Sequence, residues 1–363
     1  MLKIYRYRLL PGGKQIHIME QWLEECRWLF NHFLAERKNA WQQEQTNLNY
    51  HAQATSLRTI KNERPTLSSV HSQVLQNVAM RIDLAFKAFL RRIKAGEKPG
   101  YPRFRGKGRY DSFTFPQSGF RLEGDKLNLS KIGELQVILH RPLEDQVRTC
   151  TIKRSSTGKW YVTFSCHWEP VPLPKNEWAV GVGVGLHSFA TLSTGEQIEN
   201  PKFVRQEEKA LTKAQRKLSK AEKGIPERKK CHKIIARICE RITNRRHNFV
   251  HQLSRKIVNS FGVIAVEDLN VNRMVHNHCL AKSIMDTAWS GFFSVLAYKA
   301  EWAGRKFMIV NPVYTSQDCS KCGHRQQIPL AQRIFQCPCC GLEINRDYNA
   351  SLNILRLGLQ SLG

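Results

Sequence analysis

Two Cys-x-x-Cys pairs near the C-terminal end constrain this chain more than any other feature. Cys319-Ser-Lys-Cys322 is followed, after fourteen residues, by Cys337-Pro-Cys-Cys340, with Gly323 and Gly341 at the turns. Four thiolates at this spacing close one tetrahedral site, the ligand set of a structural zinc ribbon. Scattered core cysteines have no reason to repeat that pattern. Cys339 is a fifth thiol inside the second pair. Cys340 keeps the two-residue gap, so the expected zinc ligands are Cys319, Cys322, Cys337 and Cys340. The eleven cysteines are odd in number and four of them have ribbon spacing, which argues against a disulfide framework and for a reducing compartment.

Just past the ribbon, Asp347 opens Asp-Tyr-Asn-Ala-Ser-Leu-Asn-Ile-Leu, the start of an amphipathic helix with Ala350, Ile354 and Leu357 facing inward. An acid in a first helical turn ordinarily does no more than complement the helix dipole. Two apolar stretches upstream change that reading. Val263-Ile-Ala-Val266 reads as a strand ending in Glu267, and Trp178-Ala-Val-Gly-Val182 as one ending at Gly183. Acids at the ends of buried strands, with a further acid on a late helix, form the pattern of an RNase H-like site. In such a site carboxylates hold two divalent ions for phosphodiester hydrolysis.

The chain resembles the TnpB family, the RNA-guided nucleases of IS200/IS605-type transposons related to the Cas12 nucleases. The resemblance is carried by Cys26-Arg-Trp-Leu-Phe-Asn-His-Phe-Leu34, Lys98-Pro-Gly-Tyr-Pro-Arg-Phe-Arg105, Ile264-Ala-Val-Glu-Asp-Leu269, Thr315-Ser-Gln-Asp-Cys319 and Asn345-Arg-Asp-Tyr-Asn-Ala-Ser-Leu-Asn353. It implies an α+β multidomain fold. A wedge-type β-barrel (1–13 plus 96–172) would carry an inserted helical recognition lobe (14–95). An RNase H-like RuvC α/β domain (173–315 plus 343–363) would carry the zinc ribbon (316–342). The family reads Gly-hydrophobic-Asp-hydrophobic-Gly-Leu at the first RuvC strand, whereas this chain reads Gly181-Val-Gly183-Val-Gly-Leu186. Glu267 and Asp347 match the remaining catalytic acids, and the first aspartate is replaced by Gly183.

The implied function is RNA-guided binding of double-stranded DNA beside a short flanking motif, with guide pairing supplying most of the specificity. Guide RNA from the transposon end and target duplex are the implied partners, zinc and Mg²⁺ the cofactors, and a monomer the state within the RNA complex. A glycine offers neither ligand nor charge to two dications, so cleavage is expected to be lost or cut by orders of magnitude. Two alternatives stand beside this reading: an active endonuclease with a rearranged metal site, and a guide-independent zinc-ribbon nucleic-acid binder. Asp268 neighbours Glu267 but points to the opposite face of a strand, so it cannot simply replace the lost acid.

Charge supports a polyanionic partner. With 57 Lys and Arg against 30 Asp and Glu, the net charge is +27, a field that attracts nucleic acid. No apolar run approaches the roughly 20 residues of a membrane span, and Met1 to Leu10 holds no signal-peptide block. A prokaryotic cytoplasmic location follows as the expectation.

Along the chain, Ile4-Tyr-Arg-Tyr-Arg-Leu9 alternates as a strand stopped by Pro11, and apolar periodicity predicts helices over Lys14–Gln43 and Ser72–Lys94. Lys98 to Arg109 holds two prolines and three glycines, which exclude regular structure. Its Tyr101 and Phe104 alternate with Arg103 and Arg105, so it reads as a strap in which rings stack on bases and cations hold phosphates. Short strands fill 110–170, and Tyr50, Gln73, Gln76 and Gln117 fall near family positions that read or flank the DNA motif; glutamine can pair bidentately with adenine.

Pro170-Val-Pro-Leu-Pro174 is a stiff linker. Gly181, Gly183 and Gly185 do not make a dinucleotide-binding fingerprint, since the required last glycine is missing and a strand follows. Two basic helices are expected over Glu207–Asn259, broken at Gly224-Ile-Pro226. The second carries Ile234, Ile238, Ile242, Phe249, Leu253 and Ile257 on one stripe. Lys229, Lys230, Lys233, Arg237, Arg241, Arg245 and Arg246 lie on the other face, offered to an acidic partner. A Met/His/Asn loop at 270–279, a helix near 282–303 and a strand at Phe307–Val310 complete the path to the ribbon.

Overall fold

In the computed structural model, residues 1–143, 146–270, 274, 276, 278–329 and 332–362 are described. The chain separates into two compact units, Met1–Glu169 and Pro170–Gly363.

The first unit starts with β1 (Leu2–Leu10), in which Tyr5, Tyr7 and Leu9 point inward and the basic residues outward. Helix α1 (Gly13–Glu44) follows without interruption and buries Met19, Trp22, Leu23, Cys26, Leu29, Phe30, Phe33 and Leu34. Next come α2 (Tyr50–Glu63), a single 3₁₀ segment (Pro65–Ser69) and α3 (Ser72–Lys94). Apolar periodicity did not show α2, because its inward face is only Gln53, Leu57 and Ile60. Asn49 starts it, its side chain accepting from Ala52 N–H.

Six strands then complete the sheet: β2 (Ser112–Phe115), β3 (Phe120–Glu123), β4 (Lys126–Leu129), β5 (Gly133–Ile138), β6 (Val147–Arg154) and β7 (Trp160–His167). They join β1 in a curled antiparallel sheet of order β2-β6-β7-β1-β5-β4-β3. β1 is central because it pairs with β7 from Leu2 to Leu9 and with β5 from Arg8 to Leu10. β3 is a strand that the sequence pattern missed. It is four residues long, half of them exposed, and joined to β4 through Gly124 at positive φ. Trp22 of α1 packs its ring on Phe113 and Phe115 at 5.3 and 6.0 Å, fixing helix to sheet.

A buried polar cluster ties the three helices together. Arg37 Nε donates to Gln53 Oε1 at 2.8 Å and its Nη2 to Asp83 Oδ1 at 3.2 Å, while Gln53 Nε2 donates to Phe33 O at 3.0 Å. Burial pushes the Asp83 carboxyl up, but hydrogen bonds from Lys87 and Arg37, with their charges, outweigh it and leave Asp83 below its ordinary value. Its contribution is therefore present above the unfolded-state pKa and fades as the pH falls through the folded one. Removing the acid strands Arg37 in the core. Asp83→Ala should cost about 3–5 kcal/mol in urea unfolding at neutral pH; a loss below about 1 kcal/mol would show the cluster to be energetically idle.

The second unit is RNase H-like. Its sheet comprises β8 (Ala179–Val184), β9 (Ser188–Leu192), β10 (Gln197–Glu199), β11 (Val263–Glu267) and β12 (Lys306–Val310), in the order β10-β9-β8-β11-β12. β8, β11 and β12 run parallel; β9 and β10 are antiparallel to their neighbours. Helices α4 (Phe203–Lys220) and α5 (Pro226–Ser260) form a hairpin between β10 and β11, and α6 (His278–Thr287) and α7 (Trp289–Trp302) precede β12. Ribbon strands β13 (Ile334–Gln336) and β14 (Glu343–Asn345) pair with each other, and α8 (Arg346–Gln360) ends the chain.

The single helix expected near 282–303 is two. Ala288 takes a left-handed φ of 52° between them, which buries Trp289 and Phe292 while leaving Met285 exposed. Alanine is the best helix former, so nothing in the composition signals that break. Half of the expected loop at 270–279 lies outside the described residues, and α6 already begins at His278.

The sheet is covered on both faces. Val180, Val182, Ile264 and Val266 pack with α5 and α7, whereas Ala265 packs with Ile354 of α8. Alternation therefore turns Gly181, Gly183 and Glu267 toward the α8 side. A Cβ on Gly181 would sit 2.1 Å from Ser351 O and 2.6 Å from Leu355 N, so only glycine lets α8 lie this close.

Candidate functional site

The ribbon gathers its four cysteines as the spacing demands. Cys319 and Cys340 Sγ are 3.6 Å apart, Cys322 and Cys337 Sγ 3.5 Å, and all four sulfurs lie within 4.8 Å of one another. A tetrahedral zinc with bonds near 2.3 Å spaces its sulfurs about 3.8 Å apart, so the cluster fits the ion. Two matching knuckles build it: Gly323 N–H donates to Cys319 O and Gly341 N–H to Cys337 O, with both glycines at positive φ. Zinc held there would supply structure, closing a ribbon whose own apolar core is little more than Phe335 and the cysteines. Cys339 is exposed and stands outside the cluster.

Buried amides fasten this ribbon to α8. Asn349 Nδ2 and Asn353 Nδ2 donate to Asp318 O at 2.8 and 2.6 Å, Asn353 Nδ2 also reaches Thr315 O at 2.9 Å, and Ser320 N–H donates to Asn349 Oδ1 at 2.9 Å. Thr315 in turn donates its hydroxyl to Glu267 Oε1 at 2.6 Å. Neither asparagine nor Thr315 was given a role of its own from the sequence, although the segments that hold them carry the family resemblance. The signal was present: two asparagines four apart lie on one helix face, and buried amides require partners.

Glu267 ends β11 half-buried. Burial is the main reason its carboxyl is pushed above the ordinary value; nearby Asp347 adds to the rise, and the Thr315 hydrogen bond opposes it. Asp347 stands in the first turn of α8, which Asn345 caps by accepting from Asp347 N–H and Tyr348 N–H at 2.9 and 3.1 Å. Arg333 Nη1 is 4.0 Å from Asp347 Oδ2.

β8 faces this pair with no acid. A Cβ on Gly183 would meet only ordinary contacts, Ile354 Cδ1 at 3.5 Å and Asp347 O at 3.7 Å. Among the described residues the four cysteines alone form a group of three or more metal-ligating side chains. Among the described residues, Glu267 and Asp347 therefore do not complete a two-ion carboxylate site. Asp268 is exposed, its N–H bonded to Val310 O at 2.9 Å, and does not join the group.

The residues expected to meet nucleic acid fall into distinct settings. Tyr101 is docked edge-on against Phe86 and Phe89, with ring centroids 5.6 and 5.3 Å away, and burial raises its hydroxyl pKa. Phe104 is 54% exposed, and Arg103 and Arg105 are exposed beside it. Gln73 Oε1 accepts from Ser118 N–H at 2.9 Å, which brings it next to exposed Gln117; Gln76 is exposed on the following turn. Tyr50 is half-buried at the start of α2 against the core.

On the α4–α5 hairpin the cations sort into two groups. Arg241 and Arg245 pair with Glu207 at 3.1 and 3.3 Å, and Arg246 with Asp286 at 3.0 Å. These three hold the helices together and do not form a free face. Lys229, Lys230, Lys233 and Arg237 are exposed and have no ion pair among the described residues. The expected apolar stripe is also corrected. Ile234 is 46% exposed and Ile235 takes its place against Ala214 and Ile238, because a row of every fourth residue drifts around a helix of 3.6 residues per turn.

Known proteins agree with this architecture. The IS605 OrfB family, described as a probable transposase, matches residues 163–278, and the Cas12f1-like TNB domain matches 289–354. A Streptomyces pristinaespiralis protein whose name describes an RNA-guided DNA endonuclease is 34% identical over 365 residues, covering 98% of this chain and 89% of its own length. The chain belongs to the TnpB family. InsQ of Escherichia coli K12, similarly named, is 30% identical over 378 residues and covers 98% of this chain and 92% of itself. The TnpB fold extends to solved structures. A Cas12f1–sgRNA–target DNA complex matches with a TM-score of 0.60 at 18% identity, covering 94% of this chain and 83% of that one. The mini-RNA-guided endonuclease CRISPR-Cas phi3 matches at 0.56 and 9% identity, covering 99% and 92%. A family described as a helix-turn-helix domain also matches residues 1–46, yet in this TnpB chain those residues form β1 and one unbroken helix.

Two outcomes follow. Elemental analysis should find one zinc per chain, and Cys337→Ser with Cys340→Ser should lose the metal and the thermal stability of the ribbon; unchanged metal content would refute the site. Glu267 has a raised folded pKa, so its cost is absent below the unfolded value and grows as the pH rises through the folded one. In buffer free of divalent ions, Glu267→Gln should therefore raise Tm at pH 7–8 and leave it unchanged near pH 4. An effect that does not vary with pH would assign the change to packing.

Proposed function

We propose that this chain is an RNA-guided binder of double-stranded DNA built on a TnpB endonuclease scaffold, with cleavage lost through Gly183. The observation that carries the reading is the end of β8, which presents glycine beside Glu267 and Asp347 where a third carboxylate is needed. Relatives named as RNA-guided DNA endonucleases support guide RNA and duplex DNA as partners. The net charge of +27 and the exposed cations of α5 support a polyanion at that surface. Guide pairing would choose the target, while Gln73, Gln76, Gln117 and Tyr50 would lie near the flanking duplex.

Loaded with guide RNA and Mg²⁺, the protein should bind a matched duplex and leave it intact. Gly183→Asp should then restore cutting, since its Cβ has room. Glu267→Ala or Asp347→Ala in that background should abolish cutting again with target affinity unchanged. Cutting by the unaltered chain at the rate of the Gly183→Asp protein would favour a rearranged, active metal site instead. Guide-independent binding of equal affinity would favour a plain zinc-ribbon nucleic-acid protein. Non-cognate affinity should fall steeply with salt, each neutralised phosphate releasing about 0.7–0.9 of a counterion.

A further inference from the structure

The strap at 98–109 contains two aromatic rings, and the structure gives them different settings. Tyr101 is turned onto α3, edge-on to Phe86 and Phe89, with 44% of its surface still exposed. Phe104 has no ring partner among the described residues and is 54% exposed. The backbone that carries it is nevertheless held tightly. Asn31 of α1 grips the next residue from both sides, its Oδ1 accepting from Arg105 N–H at 2.7 Å and its Nδ2 donating to Arg105 O at 3.0 Å. Arg27 Nη1 donates to the same carbonyl at 3.0 Å and is itself oriented by Glu24. The Arg105 guanidinium lies 5.4 Å from the Phe30 ring, on the α1 side. Beyond it, Arg109 N–H closes a turn onto Gly106 O at 3.0 Å.

An exposed phenyl ring on a fixed backbone, flanked by exposed Arg103 and Lys107, is suited to one kind of ligand. A duplex hides its base faces; an unpaired nucleobase offers one, with a phosphate on either side for the cations. We infer that Phe104 is a stacking platform for a single unpaired nucleobase and that Asn31 is the positioning residue that holds it ready. This rests on the nucleic-acid function proposed above and goes further by dividing the strap: Tyr101 anchors it, and Phe104 reads out the loss of base pairing. Holding the backbone in advance lowers the ordering cost that a loose loop would incur on binding.

The test uses the full chain freed of RNA, with a 20-nucleotide oligouridine RNA, its DNA counterpart and a DNA duplex as probes. Phe104→Leu keeps an apolar side chain but loses the aromatic face. It should weaken single-strand binding roughly tenfold, with the salt slope and the duplex affinity unchanged. Asn31→Ala should weaken single strands in the same way, although Asn31 touches no probe. Tyr101→Leu should lower Tm and leave single-strand affinity near that of the parent. Photocrosslinking with 5-bromouridine in the guide or 5-bromodeoxyuridine in the target identifies whether RNA or displaced DNA supplies the base.

Equal loss for duplex and single strands in Phe104→Leu, or no loss at all, would overturn the platform. Guided target binding in the parent protein is read separately, so the platform can fail while the RNA-guided reading stands.

Discussion

The close approach of α8 to the β8–β11 face is the constraint on which the second unit depends. Gly181 admits the helix backbone at a distance no side chain would allow, and Gly358 admits the Ala265 methyl in the same way. A helix so placed carries Asp347 to the end of β8 and puts Asn349 and Asn353 under the ribbon. Those amides hold the Thr315–Ser320 segment, and Thr315 holds Glu267. Zinc ribbon, helix and strand are thus fastened through a few buried polar contacts whose partners are all satisfied except Asn353 Oδ1. Because buried polar groups are costly unless paired, displacing one member penalises its neighbours.

The first unit uses charge differently. Arg37, Asp83 and Gln53 are buried together and specify how three helices meet, and Arg64 with Glu25 adds a second pair at 2.7 Å nearer the surface. Across both units, acids are too few to neutralise the cations. Four of them sit at joints: Glu207 and Asp286 at the hairpin, Asp83 and Glu25 in the helical lobe. The remaining positive charge is left on surfaces, where it repels itself until a polyanion arrives.

Much of this was readable from the chain because the informative signals are local. Ligand spacing identified the four cysteines that the ribbon gathers, and alternation or unbroken apolar runs identified β1, β8 and β11. What escaped depended on tertiary partners. α2 buries a glutamine that only Arg37 makes acceptable, and the break at Ala288 has no breaker residue. Glu207 looks like any helical acid until α5 folds back on it. The seven cations of α5 read as one face because sequence shows where charges lie along a helix but not which acids the fold brings to them. The same limit hid the different settings of Tyr101 and Phe104, which are equivalent in composition and distinct only once α3 lies beneath one of them.

The glycines of β8 also differ in what they allow a lineage to become. At 181 the helix has closed in, and any side chain would have to push it away. At 183 nothing has closed in, and the neighbouring atoms stand at ordinary contact distance from a Cβ that is absent. Glycine and aspartate codons can differ at a single base, so on the proposed reading a silent target-marker and a chain breaker can be adjacent genotypes. The scaffold has not repacked to separate them. Selection alone, acting on the consequences of cutting, would keep such a gene on one side of that step.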